Sequence, residues 1–184
     1  HPEELALGIS ALHSTGLLAG ECAQENFETC VNHRDPSGLA DVIHVLYLSG
    51  LLADECGQGN FEACAKHQDP YELALAIGDL HLSGLIAGKL AQENFEACEK
   101  FSNPYYLTNI IRVLHLSGLL AGEHAQENLN ALTEPREYII NISYVLGQLV
   151  YTGLITAGTP ELSQQRFNQL LQYSNLLFGS EAIR

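Results

Sequence analysis

Apolar residues recur along this chain with the spacing of a helix. Leu39, Ile43 and Leu46 stand at i, i+4 and i+7, and Leu73, Ile77, Leu80 and Leu107, Ile111, Leu114 repeat the stripe, so each segment predicts an amphipathic helix with one inward face. Shorter stripes follow, Ala23, Phe27, Cys30 near the start and Ala91, Phe95, Cys98 later, and predict a second helix after each first one. Between the two helices falls a glycine, Gly16, Gly50, Gly84 or Gly118, where a left-handed C-terminal cap is wanted. Ahead of the first helices, Asp35, Asp69 and Asn103 each precede a proline. An N-cap side chain followed by Pro at the first helical position costs no hydrogen bond, because that N–H has no partner in a helix anyway.

These signals keep one interval. Pro2, Pro36, Pro70 and Pro104 are spaced 34 residues apart, as are the four glycines and Asn26, Asn60, Asn94 and Asn128. A fifth, altered copy starts at Pro135, carries its glycine at Gly153 four residues late, and starts its second helix at Thr159-Pro160; Gln164, Phe167 and Leu170 echo Gln92, Phe95 and Cys98. A unit of two short helices cannot bury its apolar faces alone, so successive hairpins are expected to stack. The expectation is an all-α chain: an α-solenoid of about five helix-turn-helix repeats, forming a single domain over 1–184 with repeats at 1–34, 35–68, 69–102, 103–134 and a divergent 135–178.

Composition narrows the partners. Eight Lys and Arg against 22 Asp and Glu leave a net charge of −14, which repels phosphate backbones and anionic lipid, so nucleic acid is disfavoured and a protein or peptide, basic in character, is favoured. Apolar runs such as "IINISYVLGQLVYTGLITAG" are broken by Asn, Ser, Gln and Gly, so no membrane insertion is expected. The chain opens at His1, lacks Met and has no signal peptide, and reads as part of a longer chain. Five cysteines, Cys22, Cys30, Cys56, Cys64 and Cys98, form an odd set without a CxxC pair. That argues against a disulfide framework or zinc cluster, for reduced and mostly buried thiols, and for the cytoplasm. The sequon Asn141-Ile-Ser143 lies inside a helical pattern and reads as coincidence.

Candidate chemistry is sparse. The phrase "LHLSGL" at Leu80 and Leu114, with "LYLSGL" at Leu46, sets His13, His81 and His115 in one column with Tyr47. The column reads as edge-of-core punctuation, against the alternative of a titrating or metal-binding ladder. The asparagine column is expected to satisfy loop carbonyls in the neighbouring copy. Positions that vary within the frame are the better recognition candidates: Ser10, His44, Gly78, Arg112 in one column and Glu3, Ser37, Tyr71, Tyr105 in the next, with Tyr106 beside it. Tyr71, Tyr105, Tyr106, Arg112 and His44 are therefore the predicted partner-binding residues, an aromatic and cationic set suited to a peptide. Asp41 and His44 have metal-pair spacing but no third ligand, and no HExxH, GxSxG, phosphate loop or GxGxxG occurs. No metal, cofactor or catalytic residue is predicted.

In period alone the chain is similar to the tetratricopeptide repeat, whose Trp and Leu-Gly-Tyr landmarks it lacks. "AQENFEAC", "NPYYL" and "LHLSGLL" resemble the degenerate α-hairpin repeats of effector proteins of intracellular bacteria such as Legionella, over roughly residues 1 to 132. That resemblance implies a recognition or spacer module acting in the cytosol of a eukaryotic host cell. The expected function is non-catalytic protein or peptide binding; a structural spacer or oligomerisation segment is the alternative, and an enzyme with a cryptic Cys/His site the least favoured.

Overall fold

A computed structural model describes residues 1–53, 55–101, 103–133, 139–153 and 160–178. Among these residues the chain is all-α, with ten α-helices and no strand. They are α1 (Pro2–Ser14), α2 (Ala23–Asn32), α3 (Pro36–Leu48), α4 (Gly57–Lys66), α5 (Pro70–Leu82), α6 (Ala91–Glu99), α7 (Pro104–Leu116), α8 (Ala125–Thr133), α9 (Ile139–Tyr151) and α10 (Pro160–Phe178). Residues 135–138, with the expected start of the fifth copy at Pro135, lie outside the described residues, as does Thr159. The chain divides into two compact units, His1–Thr108 and Asn109–Arg184.

Local chemistry sets where the odd-numbered helices begin and end. The Asp35 carboxylate accepts the Gly38 N–H at 2.9 Å, and Asp69 accepts that of Glu72 at 3.3 Å, so the predicted caps form. At the other end, the opening phrase resolves into a Schellman motif. In α3 the Leu51 N–H donates to the Leu46 carbonyl and the Gly50 N–H to that of Tyr47; in α5, Leu85 reaches Leu80 and Gly84 reaches His81; in α7, Leu119 reaches Leu114 and Gly118 reaches His115. Each glycine sits at a φ between 75° and 78°, where a side chain would be strained. The serine hydroxyl adds a second bond to a carbonyl of the last turn, Ser49 to Val45 at 2.8 Å and Ser117 to Leu114 at 2.8 Å. The motif uses only the backbone of its second residue. His13, His81 and His115 point their side chains into solvent, which corrects the edge-of-core expectation.

Histidine does act as punctuation elsewhere. The Asp35 N–H donates to His33 Nδ1 at 3.0 Å and the Asp69 N–H to His67 Nδ1 at 3.2 Å, tying the end of α2 to the cap of α3 and the end of α4 to the cap of α5.

In the first unit α3 packs between α1 and α5, and each of the three also packs on the even-numbered helix that follows it. Close approach of α1 to α3 needs Gly8: a Cβ there would stand 2.5 Å from Cys30 Sγ and 3.2 Å from the Pro36 carbonyl oxygen. The core is Leu12, Cys30, Leu39, Ile43 and Phe61, extended by Leu46, Cys64, Leu73, Ile77, Leu80, Phe95 and Cys98. In the second unit α9 packs on α10, Val113 of α7 lies 3.8 Å from where a Cβ on Gly147 would be, and Leu114, Leu132, Leu146 and Phe167 are fully buried.

Phe27 departs from the predicted core stripe. It is 38 % exposed, whereas its counterparts Phe61 and Phe95 are buried, because no hairpin stands on the outer side of α1 and α2 in the first unit.

Candidate functional site

The asparagine column is structural, with a geometry that differs from the one expected. Asn26 donates to the Leu17 carbonyl at 2.9 Å, Asn60 to Leu51 at 2.8 Å and Asn128 to Leu119 at 2.8 Å. Each carbonyl belongs to the asparagine's own hairpin, not to a neighbour, because the loop turns back over the start of the second helix. The neighbour is reached through a glutamine that the sequence reading passed over. Asn26 and Gln58 exchange amide hydrogen bonds at 3.1 and 2.8 Å, and Asn60 and Gln92 at 3.1 and 2.9 Å. In the second unit Asn128 and Gln164 do the same at 2.8 Å each way. The signal was available: Gln24, Gln58, Gln92 and Gln126 keep the same interval, two residues before each asparagine. With 2–3 % exposure, these asparagines have no room for a ligand.

The predicted binding residues fall into three groups. Tyr71, 48 % exposed, and Tyr105, 55 % exposed, occupy the same position in the first turns of α5 and α7. Thr108 Oγ1 donates to the Glu72 carbonyl at 3.0 Å, so the N-terminal turns that carry the two tyrosines touch. Tyr106 packs edge-to-face on Tyr105, with ring centroids 5.7 Å apart and planes at 68°, an arrangement that stiffens both rings. His44 is exposed on α3, but seven residues beyond the position equivalent to Tyr71, about 10 Å further along the helix direction. The structure does not gather it into the tyrosine cluster. Arg112 is exposed on α7 and belongs to the second unit. Asp69 and Glu72 flank Tyr71 in the sequence, whereas Asn103 and Pro104 before Tyr105 are uncharged.

A groove that the sequence reading did not single out lies in the second unit. It measures about 950 Å³ and runs between the turn after α7, with Gly118, Gly122 and His124, and the Gln165, Asn168 and Gln169 side of α10. Its lining mixes apolar side chains, Leu116, Leu119, Ala121 and Pro160, with amides, hydroxyls and carboxylates, and its histidine is engaged by Glu127 at 3.0 Å. The glutamine and asparagine amides there can hydrogen-bond an extended main chain.

Thiol chemistry is constrained. None of the five cysteines forms a disulfide. Burial pushes the Cys98 thiol up to about 12. Burial first, then the nearby Glu99 carboxylate and Cys98, raises Cys64 as well, and burial raises Cys30. A thiol held in its protonated form is a poor nucleophile, so these three work as small core residues. Cys22 and Cys56 are half-buried at the starts of α2 and α4. Among the described residues no three His, Cys, Asp or Glu side chains converge as metal ligands. No described helix is long and apolar enough to cross a membrane.

Nothing among protein-family models, curated proteins or solved structures matches the chain.

Proposed function

We propose that this chain is an α-solenoid of about five 34-residue hairpins in one domain that binds a basic protein or peptide segment without catalysis. The observation that carries the reading is the paired exposure of Tyr71 and Tyr105 on touching helix turns, stiffened by Tyr106. Rigid, half-exposed aromatic rings supply contact area at low entropic cost, and tyrosine is enriched where single residues dominate binding energy. Asp69 and Glu72, flanking Tyr71 in the sequence, and the net charge of −14, favour Lys- or Arg-rich ligands, whose cations can lie over the ring faces. Cysteines outside any disulfide fit a reducing compartment, which supports the cytosol, the host cytosol on the effector-like reading.

The test is selection of peptides from a random display library on the whole chain, followed by calorimetry of the enriched peptides against wild type and Tyr71→Ser/Tyr105→Ser. Enrichment of basic sequences whose affinity falls at least about tenfold in the double variant is the expected result. Enrichment indifferent to the tyrosines, or none, overturns the site in favour of a spacer.

A further inference from the structure

The outer face of the first hairpin has unspent pairing capacity. Gln58 and Gln92 each form a reciprocal amide pair with the asparagine of the preceding hairpin and also reach a glutamate one turn on. Gln24 holds the same position, yet its amide meets only Glu28, at 2.7 Å. The apolar residues around it are uncovered in the same sense. Phe27 is exposed where Phe61 and Phe95 are buried, and Pro2 where Pro36 and Pro70 are buried. Leu5 and Ile9 are half-buried where Leu39, Ile43, Leu73 and Ile77 are fully buried. One missing neighbour accounts for all of these differences, and it must offer an apolar surface together with an asparagine amide in register with Gln24.

We infer that a further α-hairpin of the same repeat type, stacked in cis ahead of residue 1, covers this face and presents an asparagine from its second helix to Gln24. A second copy of the chain stacked head to tail is a poorer occupant. In its last hairpin the residue two beyond Gln164, where Asn128 stands two beyond Gln126, is Arg166, which cannot return the paired amide bonds. The inference rests on the repeat-stack reading and is independent of the peptide site.

Placing a copy of residues 35–68 directly ahead of His1 keeps the 34-residue register and supplies Asn60 of the copy to Gln24. Native-state hydrogen exchange in α1 and α2 is expected to slow roughly tenfold or more, and the urea m-value to rise with the added buried surface. The same extension with Asn60→Ala in the added copy alone is expected to lose most of that protection. An added copy that exchanges at unfolded rates and leaves α1 and α2 unchanged overturns the inference. So does a dimer of the unextended chain in sedimentation equilibrium that Phe27→Glu dissolves, since the face then belongs to a second copy. Gln58→Ala in the unextended chain reads the internal α2–α4 pair by itself, so failure of the extension is distinguishable from failure of the repeat stack.

Discussion

The hairpins α1–α2 and α3–α4 are written in nearly the same residues, yet they are buried differently. Both carry the Leu–Ile–Leu stripe, the glycine cap, the Asn–Phe pair and the core cysteine. In α3–α4, Leu39, Ile43 and Phe61 are inaccessible, because α1 and α5 flank α3 on either side. In α1–α2 the inner residues Leu12 and Cys30 are just as inaccessible, while Phe27 on the outer side is not. A repeat pattern therefore specifies what a surface can pair with; the burial itself comes from the neighbour.

That contrast is easiest to break at the phenylalanines. Phe61→Ala should cost about 3–5 kcal/mol, because it removes a ring from a closed core, whereas Phe27→Ala should cost less than about 1.5 kcal/mol. Equal midpoints in urea unfolding for the two variants would show that the faces do not differ. Asn60→Ala comes next, at about 2–3 kcal/mol, since it strands the Leu51 carbonyl and one side of Gln92 in a buried setting; calorimetric melting reads it.

Alkaline pH should act on the three hairpins in the same direction, because burial raises the thiols of Cys30, Cys64 and Cys98. Burial pushes the folded Cys98 thiol up to about 12, well above the ordinary thiol range, so the unfolded chain loses its proton first. Its stabilising contribution is complete below pH 9 and is lost as the pH rises toward 12, at about 1.4 kcal/mol per pH unit. Unfolding free energies at pH 8 and 10 should therefore differ in wild type and differ less in Cys98→Ala. The smallest effect separates the glutamines: Gln58→Ala should cost about 1 kcal/mol and Gln24→Ala only a few tenths. Similar costs at both positions would mean that the interhairpin amide pair contributes nothing beyond the i, i+4 bond to glutamate.

Helix boundaries were legible because caps are local. Asp35-Pro36, Asp69-Pro70 and the Ser-Gly endings settle their own hydrogen bonds within a few residues, and α10 starts at Pro160 as its pattern requires. The core cysteines were legible because one helical face determines them. The exposure of Phe27 was not, since it depends on a hairpin that the first unit does not hold. The Asn–Gln pairs were missed for a related reason: their partners are 32 residues apart, and nothing in either residue's immediate context distinguishes a paired amide from surface polarity. Of the candidate site, the tyrosine pair could be placed by register alone, but His44 shares only their helix face and lies two turns away.

The amide pairs between successive second helices are uncharged on both sides. Their strength is set by geometry and desolvation, and raising the ionic strength leaves it nearly unchanged. A ligand drawn to Asp69, Glu72 and the acidic surface answers to salt in the opposite way, because screening removes most of its long-range attraction. For the basic partner proposed above, salt is therefore a dial that would release the ligand while the amide pairs between hairpins stay made.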